Sequence, residues 1–220
     1  MGPRAIIRQS ILDTDIYCLT AEKFSRGRSN IEVVRTMLDH GIRLVQYREK
    51  DKKIGAKYEE CLEIRHLTRE AGAAFIVNDD IDLAILVGAD GVHIGQEDLP
   101  LEAVRRLVGK DMAIGLSTHS PDEALAAVRR GADYIGVGPI FRTFTKEDVC
   151  DPVGFEYLEY VAREVDIPFV AIGGIKRHNV AEVVGRGARC VAVVTEIVAA
   201  DDMGEAIIGL REAMQSAKEK

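Results

Sequence analysis

Residues 124–135 read ALAAVRRGADYI, and this stretch passes from a helical pattern through a single glycine into a β-rich apolar run. Ala124, Leu125 and Val128 fall on one side of a helix with a period of 3.6 residues. Gly131 supplies the left-handed residue that commonly ends a helix, and a strand follows from Tyr134. The stretch therefore predicts a helix, a glycine turn and a strand in direct succession.

The same pattern of a glycine, two linking residues and a β-rich run recurs along the chain, at residues 41–45, 72–76, 88–92, 131–135 and 187–191. The intervals between these glycines accommodate one or two strand–helix units each. Reading the apolar runs predicts strands at 15–20, 44–49, 74–79, 91–95, 112–118, 134–139, 169–174 and 190–197, with a last helix over about 201–218. Eight parallel strands that alternate with helices favour an α/β fold of the TIM (βα)8 barrel type. An open Rossmann-type sheet is the alternative, but no G-x-G-x-x-G follows the first strand.

The chain has 220 residues, of which 47% are hydrophobic, and it contains no linker or low-complexity stretch. We therefore predict one domain over 1–220, with an N-terminal extension over 1–14 and the barrel over 15–218. No apolar run reaches the length of a membrane span, and the N-terminus lacks the features of a signal peptide. The four cysteines have no paired spacing, so the sequence indicates neither a zinc site nor a disulfide framework. A cytoplasmic location is the resulting expectation.

The formal net charge is −7, which disfavours nucleic acid or an anionic membrane as the main partner. A homo-oligomer remains compatible with the sequence. Because the chain is acidic overall, a local cluster of cationic side chains is a more specific sign of an anion-binding site than the net charge is.

Such a cluster lies at the end of the second predicted strand. With a period of two, Gln46, Arg48 and Lys50 share one face of that strand, whereas Val45 and Tyr47 share the other. The apolar face suits the helix layer, so the polar face should point into the mouth of the barrel. An amide, a guanidinium and an ammonium together suit a phosphate or diphosphate. The alternative is a strand that runs early into a solvated loop.

Carboxylates follow the next two strands. Asp79 and Asp80 end the third strand, and Asp98 lies in the loop after the fourth. Oxygen ligands from neighbouring strand ends are typical of a magnesium site that shares the ion with substrate phosphates. Asp80 can instead cap the following helix, so Asp79 and Asp98 are the predicted ligands. A simple ion pair between Arg48 and Asp79 is the structural alternative.

Three further segments carry polar or glycine signals at strand ends. Ser117, at the end of strand five, can donate to a ligand or start a turn. Thr143, Thr145 and Lys146 lie on the longest loop, which is able to close over the mouth. Gly173 and Gly174 follow strand seven, where a backbone phosphate site or a tight turn would explain them.

Taken in order, these segments resemble the thiamine phosphate synthase family over nearly the whole chain. The resemblance is carried by Gln46-Tyr47-Arg48-Glu49-Lys50, Val77-Asn78-Asp79, Gly95-Gln96-Glu97-Asp98-Leu99-Pro100, Ser117-Thr118-His119, Thr143-Phe144-Thr145-Lys146 and Ile172-Gly173-Gly174-Ile175. It implies an enzyme that joins hydroxymethylpyrimidine diphosphate to hydroxyethylthiazole phosphate, giving thiamine phosphate and diphosphate. It also implies Mg²⁺ as cofactor and a dissociative reaction, in which diphosphate leaves before the thiazole nitrogen attacks.

The resemblance also implies residue roles. Gln46, Arg48, Lys50, Asn78, Ser117 and Lys146 correspond to residues that hold the pyrimidine diphosphate, and among them Arg48, Lys50, Ser117 and Lys146 are the predicted catalytic residues. Asp79 and Asp98 correspond to the magnesium ligands. The thiazole phosphate side corresponds to Thr143, Thr145, Gly174, Val194 and Thr195. We include the neighbours Tyr47, Glu49, Phe144 and Gly173 in the predicted substrate-binding set.

The sequence departs from the family pattern at a few positions. Arg142 stands where a proline is usual, Thr195 where a serine is usual, and strand one ends Leu19-Thr20-Ala21-Glu22 where Thr-Asp is commoner. Two other functions stay open: a related barrel without diphosphate chemistry, such as a thiazole tautomerase or a sugar-phosphate isomerase, and a regulatory barrel that binds ligands without turnover.

Overall fold

The chain forms a closed barrel of eight parallel strands in sequence order. A computed structural model describes residues 13–145 and 150–218, together with Ile7 and Gln9. The strands are β1 (Ile16–Leu19), β2 (Leu44–Tyr47), β3 (Ala74–Asn78), β4 (Gly91–Ile94), β5 (Ala113–Thr118), β6 (Tyr134–Val137), β7 (Phe169–Ile172) and β8 (Val191–Val193). The predicted TIM barrel is thus confirmed.

A helix follows every strand. The helices are α1 (Asn30–Asp39), α2 (Ile54–Glu70), α3 (Ile81–Val87), α4 (Leu101–Val108), α5 (Pro121–Arg130), α6 (Gly154–Glu164), α7 (Val180–Gly185), α8 (Thr195–Val198) and α9 (Met203–Lys218), and a 3₁₀ turn (Glu22–Phe24) precedes α1. In the part of the chain that the structure describes, no helix is both long and apolar enough to span a bilayer.

The five glycines that predicted the fold all have positive φ, between 63° and 102°. Gly88 and Gly131 end α3 and α5 in the left-handed conformation, where a side chain would be strained. The strands that follow begin within one residue of their predicted positions. The pattern of a glycine followed by a β-rich run thus predicts the starts of these strands correctly.

The end of the barrel differs from the prediction, which placed residues 190–197 in one strand. β8 ends at Val193, and Thr195–Val198 forms the short helix α8. The run of β-branched residues favours a strand locally, but the neighbouring strands β1 and β7 pair with β8 only as far as Val193. The backbone beyond that point has no partner strand and turns into a helix.

Side chains of alternating residues divide the core into two layers. An inner cluster, which includes Leu44, Ile76 and Val170, fills the barrel, and an outer cluster, which includes Val45 and Val77, lies between the strands and the helices. Because successive side chains of a strand point to opposite sides, the even-numbered residues of β2 point inward.

Two aspartates, the partly buried Asp90 and the fully buried Asp133, join the amino-terminal ends of neighbouring strands. Asp90 accepts two hydrogen bonds from the guanidinium of Arg65, at 2.6 and 2.8 Å, and one from the backbone N–H of Phe75 at 2.9 Å. Asp133 repeats this arrangement with Arg105 at 2.6 Å and the N–H of Ile114 at 2.9 Å. Both aspartates belong to the repeated Gly-Ala-Asp sequence, which thus joins a helix to two strands. We refer to these two clusters as the aspartate locks.

The closing seam between β1 and β8 is bridged at both ends by arginines. Arg211 on α9 contacts Asp15 at 2.9 Å and the carbonyl oxygens of His40 and Gly41 at 2.6 and 3.0 Å. Arg28 donates to the carbonyl oxygens of Val198 and Ala200 at 2.9 and 2.7 Å. The first and last parts of the barrel are therefore joined by side chains as well as by strand pairing. The division at residues 14 and 15 stays a prediction, because most of the residues before 13 lie outside the described ones.

Candidate active site

The sequence predicts Gln46, Arg48 and Lys50 on one face of a strand over 44–49. In the structure β2 ends at Tyr47, so only Gln46 lies within the strand, and Arg48 and Lys50 lie in the loop that follows. Gln46 is only 2% exposed and points into the barrel, where its amide donates to the hydroxyl of Tyr17 at 2.8 Å. Lys50, farther along, forms an ion pair of 2.6 Å with Asp79 of the next strand end. The guanidinium of Arg48 is partly buried, and it forms no hydrogen bond or ion pair with the residues that the structure describes. Burial lowers the pKa of Arg48, and the nearby Asp79 opposes that shift. An arginine whose guanidinium makes no contact of this kind within residues 13–145 and 150–218 is suited to an anionic ligand.

Tyr47 is a correction to the predicted substrate-binding set. Its side chain is buried in the outer layer and donates to Glu60 of α2 at 2.7 Å. Because Tyr47 alternates with Gln46, it cannot reach the mouth while Gln46 points inward. Glu49 lines a cavity at the mouth, but its carboxylate accepts a hydrogen bond from the backbone of Glu22 at 2.9 Å.

Asp79 lies at the end of β3 with a φ of 60°, which is uncommon for any residue with a side chain. Its N–H donates to the carbonyl oxygen of His93 at 2.9 Å, which ties this strained backbone to β4. The ion pair of Asp79 with Lys50 replaces the Arg48–Asp79 pair that was the structural alternative. Asn78, one residue earlier, has a side chain without a hydrogen bond to the described residues.

Asp80 occupies the N-cap position of α3 but makes no capping hydrogen bond with its side chain. It instead pairs with the largely buried Lys57 at 2.7 Å. Its role in the structure is thus to join α2 to the loop after β3, whereas Asp79 faces the cations of β2.

Asp98 follows β4 in an exposed loop and accepts a hydrogen bond from the N–H of Gly95 at 2.6 Å. Its negative charge opposes the lowering of the His93 pKa, which indicates that the carboxylate lies near the His93 ring. Within the described residues, no group of three or more His, Cys, Asp and Glu side chains could hold a metal ion. Two carboxylates on adjacent strand ends still fit Mg²⁺, because this ion commonly takes its remaining ligands from water and substrate phosphates. The ammonium of Lys50 on Asp79 indicates a position that already accepts a cation.

Ser117 lies inside the mouth at the end of β5, and its hydroxyl is 3.0 Å from the Nε2 atom of His93. The other ring nitrogen of His93 is 3.0 Å from the hydroxyl of Tyr134. Both ring nitrogens of His93 therefore have hydrogen-bond partners inside the barrel. Burial lowers its pKa to about 4, so the imidazole is neutral near pH 7.

The first part of the loop between β6 and α6, up to Thr145, reaches across the mouth. Thr145 lines a cavity of about 530 Å³ together with Arg48 and Lys50, although β6 and β2 lie on opposite sides of the barrel. Thr143 and Thr145 contact each other through their hydroxyl oxygens at 3.3 Å. Lys146 lies outside the described residues.

Phe144 does not fit the predicted substrate-binding role in this arrangement. Its side chain is 80% exposed, and the guanidinium of Arg142 lies 5.5 Å from its ring centre. The aromatic ring therefore packs on the outside of the loop, beside the residue that replaces the usual proline.

The glycines after β7 are packed against the same loop. A side chain on Gly174 would come within 2.6 Å of the carbonyl oxygen of Arg142, and one on Gly173 within 2.4 Å of Pro139. Both glycines also have positive φ. Asn179 donates to the carbonyl oxygen of Gly174 at 3.0 Å, a contact that the sequence did not predict. Val194 and Thr195 lie at the start of α8, which Glu196 joins to the β7–α7 loop through the N–H of Arg177 at 2.8 Å.

The fold and the mouth together define an enzyme of the TIM-barrel class whose site combines cations, carboxylates and hydroxyls at the carboxyl ends of its strands. The chain belongs to the thiamine monophosphate synthase family, whose sequence profile matches residues 16–197.

Relatives of known name agree with this membership. The thiamine-phosphate synthase of Pelotomaculum thermopropionicum is 62% identical over 209 residues, which is 95% of each chain. That of Lawsonia intracellularis is 53% identical and covers 95% of this chain and 96% of its own. Among solved structures, the thiamine phosphate pyrophosphorylase of Pyrococcus furiosus is 34% identical and superposes with a TM-score of 0.86, covering 96% of this chain and 98% of its own.

Proposed function

We propose that this enzyme joins hydroxymethylpyrimidine diphosphate to hydroxyethylthiazole phosphate and releases thiamine phosphate and diphosphate. The names of its relatives support this reaction. The observation that carries the proposal is the guanidinium of Arg48, which has no hydrogen-bond partner among the described residues. It lies beside the Lys50–Asp79 ion pair, in a cavity that Thr145 also lines. Cations from β2 and hydroxyls from the β6–α6 loop can thereby contact the two reactants in one space.

The diphosphate would bind between β2, β3 and β5. Arg48 offers a fork of N–H donors, Lys50 a mobile ammonium, and Asn78 and Ser117 neutral donors. Gln46, at the bottom of the mouth, would contact the pyrimidine ring. Lys146 is kept in this set from the sequence, since it directly follows Thr145.

Asp79 and Asp98 would hold Mg²⁺. The ion supplies neutralisation of the charge that develops on the departing diphosphate. The carboxylate of Asp79 already contacts one cation, the ammonium of Lys50, at 2.6 Å, which supports its role as a cation ligand.

The thiazole phosphate would bind at Thr143, Thr145, Gly174, Val194 and Thr195. The close packing of Gly174 against the loop that carries Thr143 supports a single pocket formed by β6, β7 and β8. Backbone N–H groups at such turns are common phosphate ligands in barrels.

The reaction breaks the bond between the pyrimidine methylene carbon and the diphosphate oxygen and forms a bond from that carbon to the thiazole nitrogen. The bonding electrons leave with the diphosphate, and the nitrogen lone pair supplies the new bond. The protein therefore needs to stabilise a leaving anion and align a nucleophile, and it needs no general base. The neutral state of His93, which contacts Ser117, is consistent with this requirement.

The direct test combines the purified protein with Mg²⁺ and both substrates, and measures thiamine phosphate by chromatography. Formation of thiamine phosphate and diphosphate in equal amounts would support the proposal. Binding of both substrates without product would favour a regulatory barrel instead, and isomerisation of a single substrate would favour a barrel without diphosphate chemistry.

A further inference from the structure

Five polar side chains form a continuous hydrogen-bonded chain through the barrel interior. The oxygen of Ser117 lies 3.0 Å from His93, and His93 lies 3.0 Å from the hydroxyl of Tyr134. The hydroxyls of Tyr134 and Tyr17 are 3.1 Å apart, and the amide of Gln46 is 2.8 Å from Tyr17. This interior chain thus links two residues of the mouth, Ser117 and Gln46, through three residues that no part of the proposed reaction uses.

The barrel is shaped around the interior chain. A side chain on Gly115 of β5 would come within 2.1 Å of the Tyr134 ring and 2.5 Å of the His93 ring. The space of a missing β-carbon is therefore occupied by the contact between these two rings, which lie 5.4 Å apart. Burial raises the pKa of both Tyr17 and Tyr134, so each remains a neutral phenol with one proton to donate.

The contacts give the interior chain a direction. The amide nitrogen of Gln46 donates to the oxygen of Tyr17. The buried proton of Tyr17 then has the oxygen of Tyr134 as its acceptor, because a buried hydroxyl proton without an acceptor is costly.

The interior chain keeps this direction from Tyr134 to the mouth. The oxygen of Tyr134 accepts from Tyr17, so its own proton is donated to the Nδ1 atom of His93. A neutral imidazole that accepts at Nδ1 carries its proton at Nε2, and this proton is donated to the oxygen of Ser117. The hydroxyl proton of Ser117 is left to point into the mouth.

We propose that Tyr17, Tyr134 and His93 are positioning residues that fix Ser117 as a hydrogen-bond donor toward the anionic substrate. The inference rests on the proposed function in one respect, namely that Ser117 and Gln46 contact the pyrimidine diphosphate. If the direction were reversed, Ser117 would donate to His93 and present lone pairs to the phosphate oxygens, which repels rather than binds them. The interior chain thus couples the orientation of the Gln46 amide to the polarity of Ser117.

The first experiment determines the tautomer of His93 by ¹⁵N NMR of the imidazole nitrogens in the ligand-free protein. The wild type is expected to carry the proton at Nε2 alone. Tyr134→Phe removes the donor to Nδ1 while keeping the ring, and it should give a mixture of tautomers. Tyr157→Phe is the matched control, because its hydroxyl makes a buried hydrogen bond of 2.6 Å to Thr118 that does not belong to the interior chain. The control should leave the tautomer unchanged.

The second experiment measures the kinetics. Loss of one well-oriented donor should raise KM for the pyrimidine diphosphate by about threefold to tenfold in Tyr134→Phe, with KM for the thiazole phosphate unchanged. In a Ser117→Ala background, Tyr134→Phe should add no further loss, because the residue acts through Ser117. Tyr17→Phe should raise KM for the pyrimidine diphosphate in the same way as Tyr134→Phe, but by a smaller factor.

The outcomes separate the two proposals. A wild-type protein with the proton at Nδ1, or an unchanged tautomer in Tyr134→Phe, would overturn the direction of the interior chain whatever the enzyme activity. Additive losses from Tyr134→Phe and Ser117→Ala would make Tyr134 a purely structural residue. Failure to form thiamine phosphate would instead contradict the proposed function, and the NMR result would still stand.

Discussion

Asp79 is the residue whose backbone and side chain are most closely defined by the site. Its positive φ costs free energy of order 1 kcal/mol or more, and it is maintained by a hydrogen bond to β4 and an ion pair to β2. Asp80, its neighbour, has an ordinary conformation and pairs with Lys57 of a helix. Two adjacent carboxylates are thus assigned to different tasks by their surroundings.

Replacing Asp79 with asparagine should abolish most of the activity without unfolding the protein. Asparagine tolerates a positive φ and has nearly the same shape, but it removes the negative charge that would bind Mg²⁺. We expect the rate of thiamine phosphate formation to fall roughly a hundredfold or more. Steady-state rates over a range of Mg²⁺ concentrations, together with the melting temperature, measure the effect.

Asp80→Asn is the control for this change. It should lower the melting temperature, because it weakens the pair with the largely buried Lys57, and it should leave the Mg²⁺ dependence unchanged. A normal Mg²⁺ dependence in Asp79→Asn would show that the metal ligands lie elsewhere.

At the scale of elements, the aspartate locks show how a three-residue sequence fastens strands and helices. Asp133 is fully buried and holds Arg105 of α4 and the backbone of β5 at once. The lock works because the carboxylate lies at the start of one strand and reaches the start of the neighbouring strand. The corresponding Gly-Ala pairs at 72–73 and 187–188 are followed by Ala74 and Arg189 instead of an aspartate.

Asp133→Ala should destabilise the protein by about 3 kcal/mol, since it removes the buried carboxylate that pairs with Arg105 and the acceptor of the Ile114 N–H. Denaturation in urea measures the change in the free energy of unfolding. Asp111→Ala, in the exposed turn before β5, should change stability by less than about 0.5 kcal/mol. Equal effects of the two substitutions would contradict the assigned role of the lock.

The elements also show which features a sequence can reveal. Strand starts follow from a glycine and a β-rich run, both of which are local. The end of β8 does not, because it depends on how far β1 and β7 extend beside it. Tyr47 belongs to the contiguous motif that predicts substrate binding, although the period of two places its side chain on the face of β2 opposite to Gln46. The interior chain could not be read from the sequence, because its members meet only when β1, β2, β4, β5 and β6 close into a ring.

At the scale of the whole molecule, closure of the barrel depends on the contacts between its first and last parts. Arg211 makes three hydrogen bonds to the segments before β1 and β2, and Asp15 in turn accepts the N–H of Val191 through its carbonyl oxygen. The seam is therefore the place where an opening of the barrel should begin.

Arg211→Met should reduce the free energy of unfolding by about 2 kcal/mol. It should also speed hydrogen exchange at the amides of β1 and β8 more than at those of β4 and β5. Native-state hydrogen exchange measures both effects. The control Arg177→Met removes an exposed ion pair of 3.4 Å with Glu212 and should cost almost nothing. Uniform acceleration of exchange in all strands would argue against a weak seam.

The aspartate locks lie at the opposite rim from the carboxylates and cations of the mouth. Substitutions at the two rims should accordingly have different effects. A library of substitutions confined to the strand ends around Arg48, Thr143 and Gly174 leaves the aspartate locks, and the stability they provide, intact. Laboratory evolution toward altered phosphorylated substrates could then accumulate changes at one rim while the other preserves the scaffold.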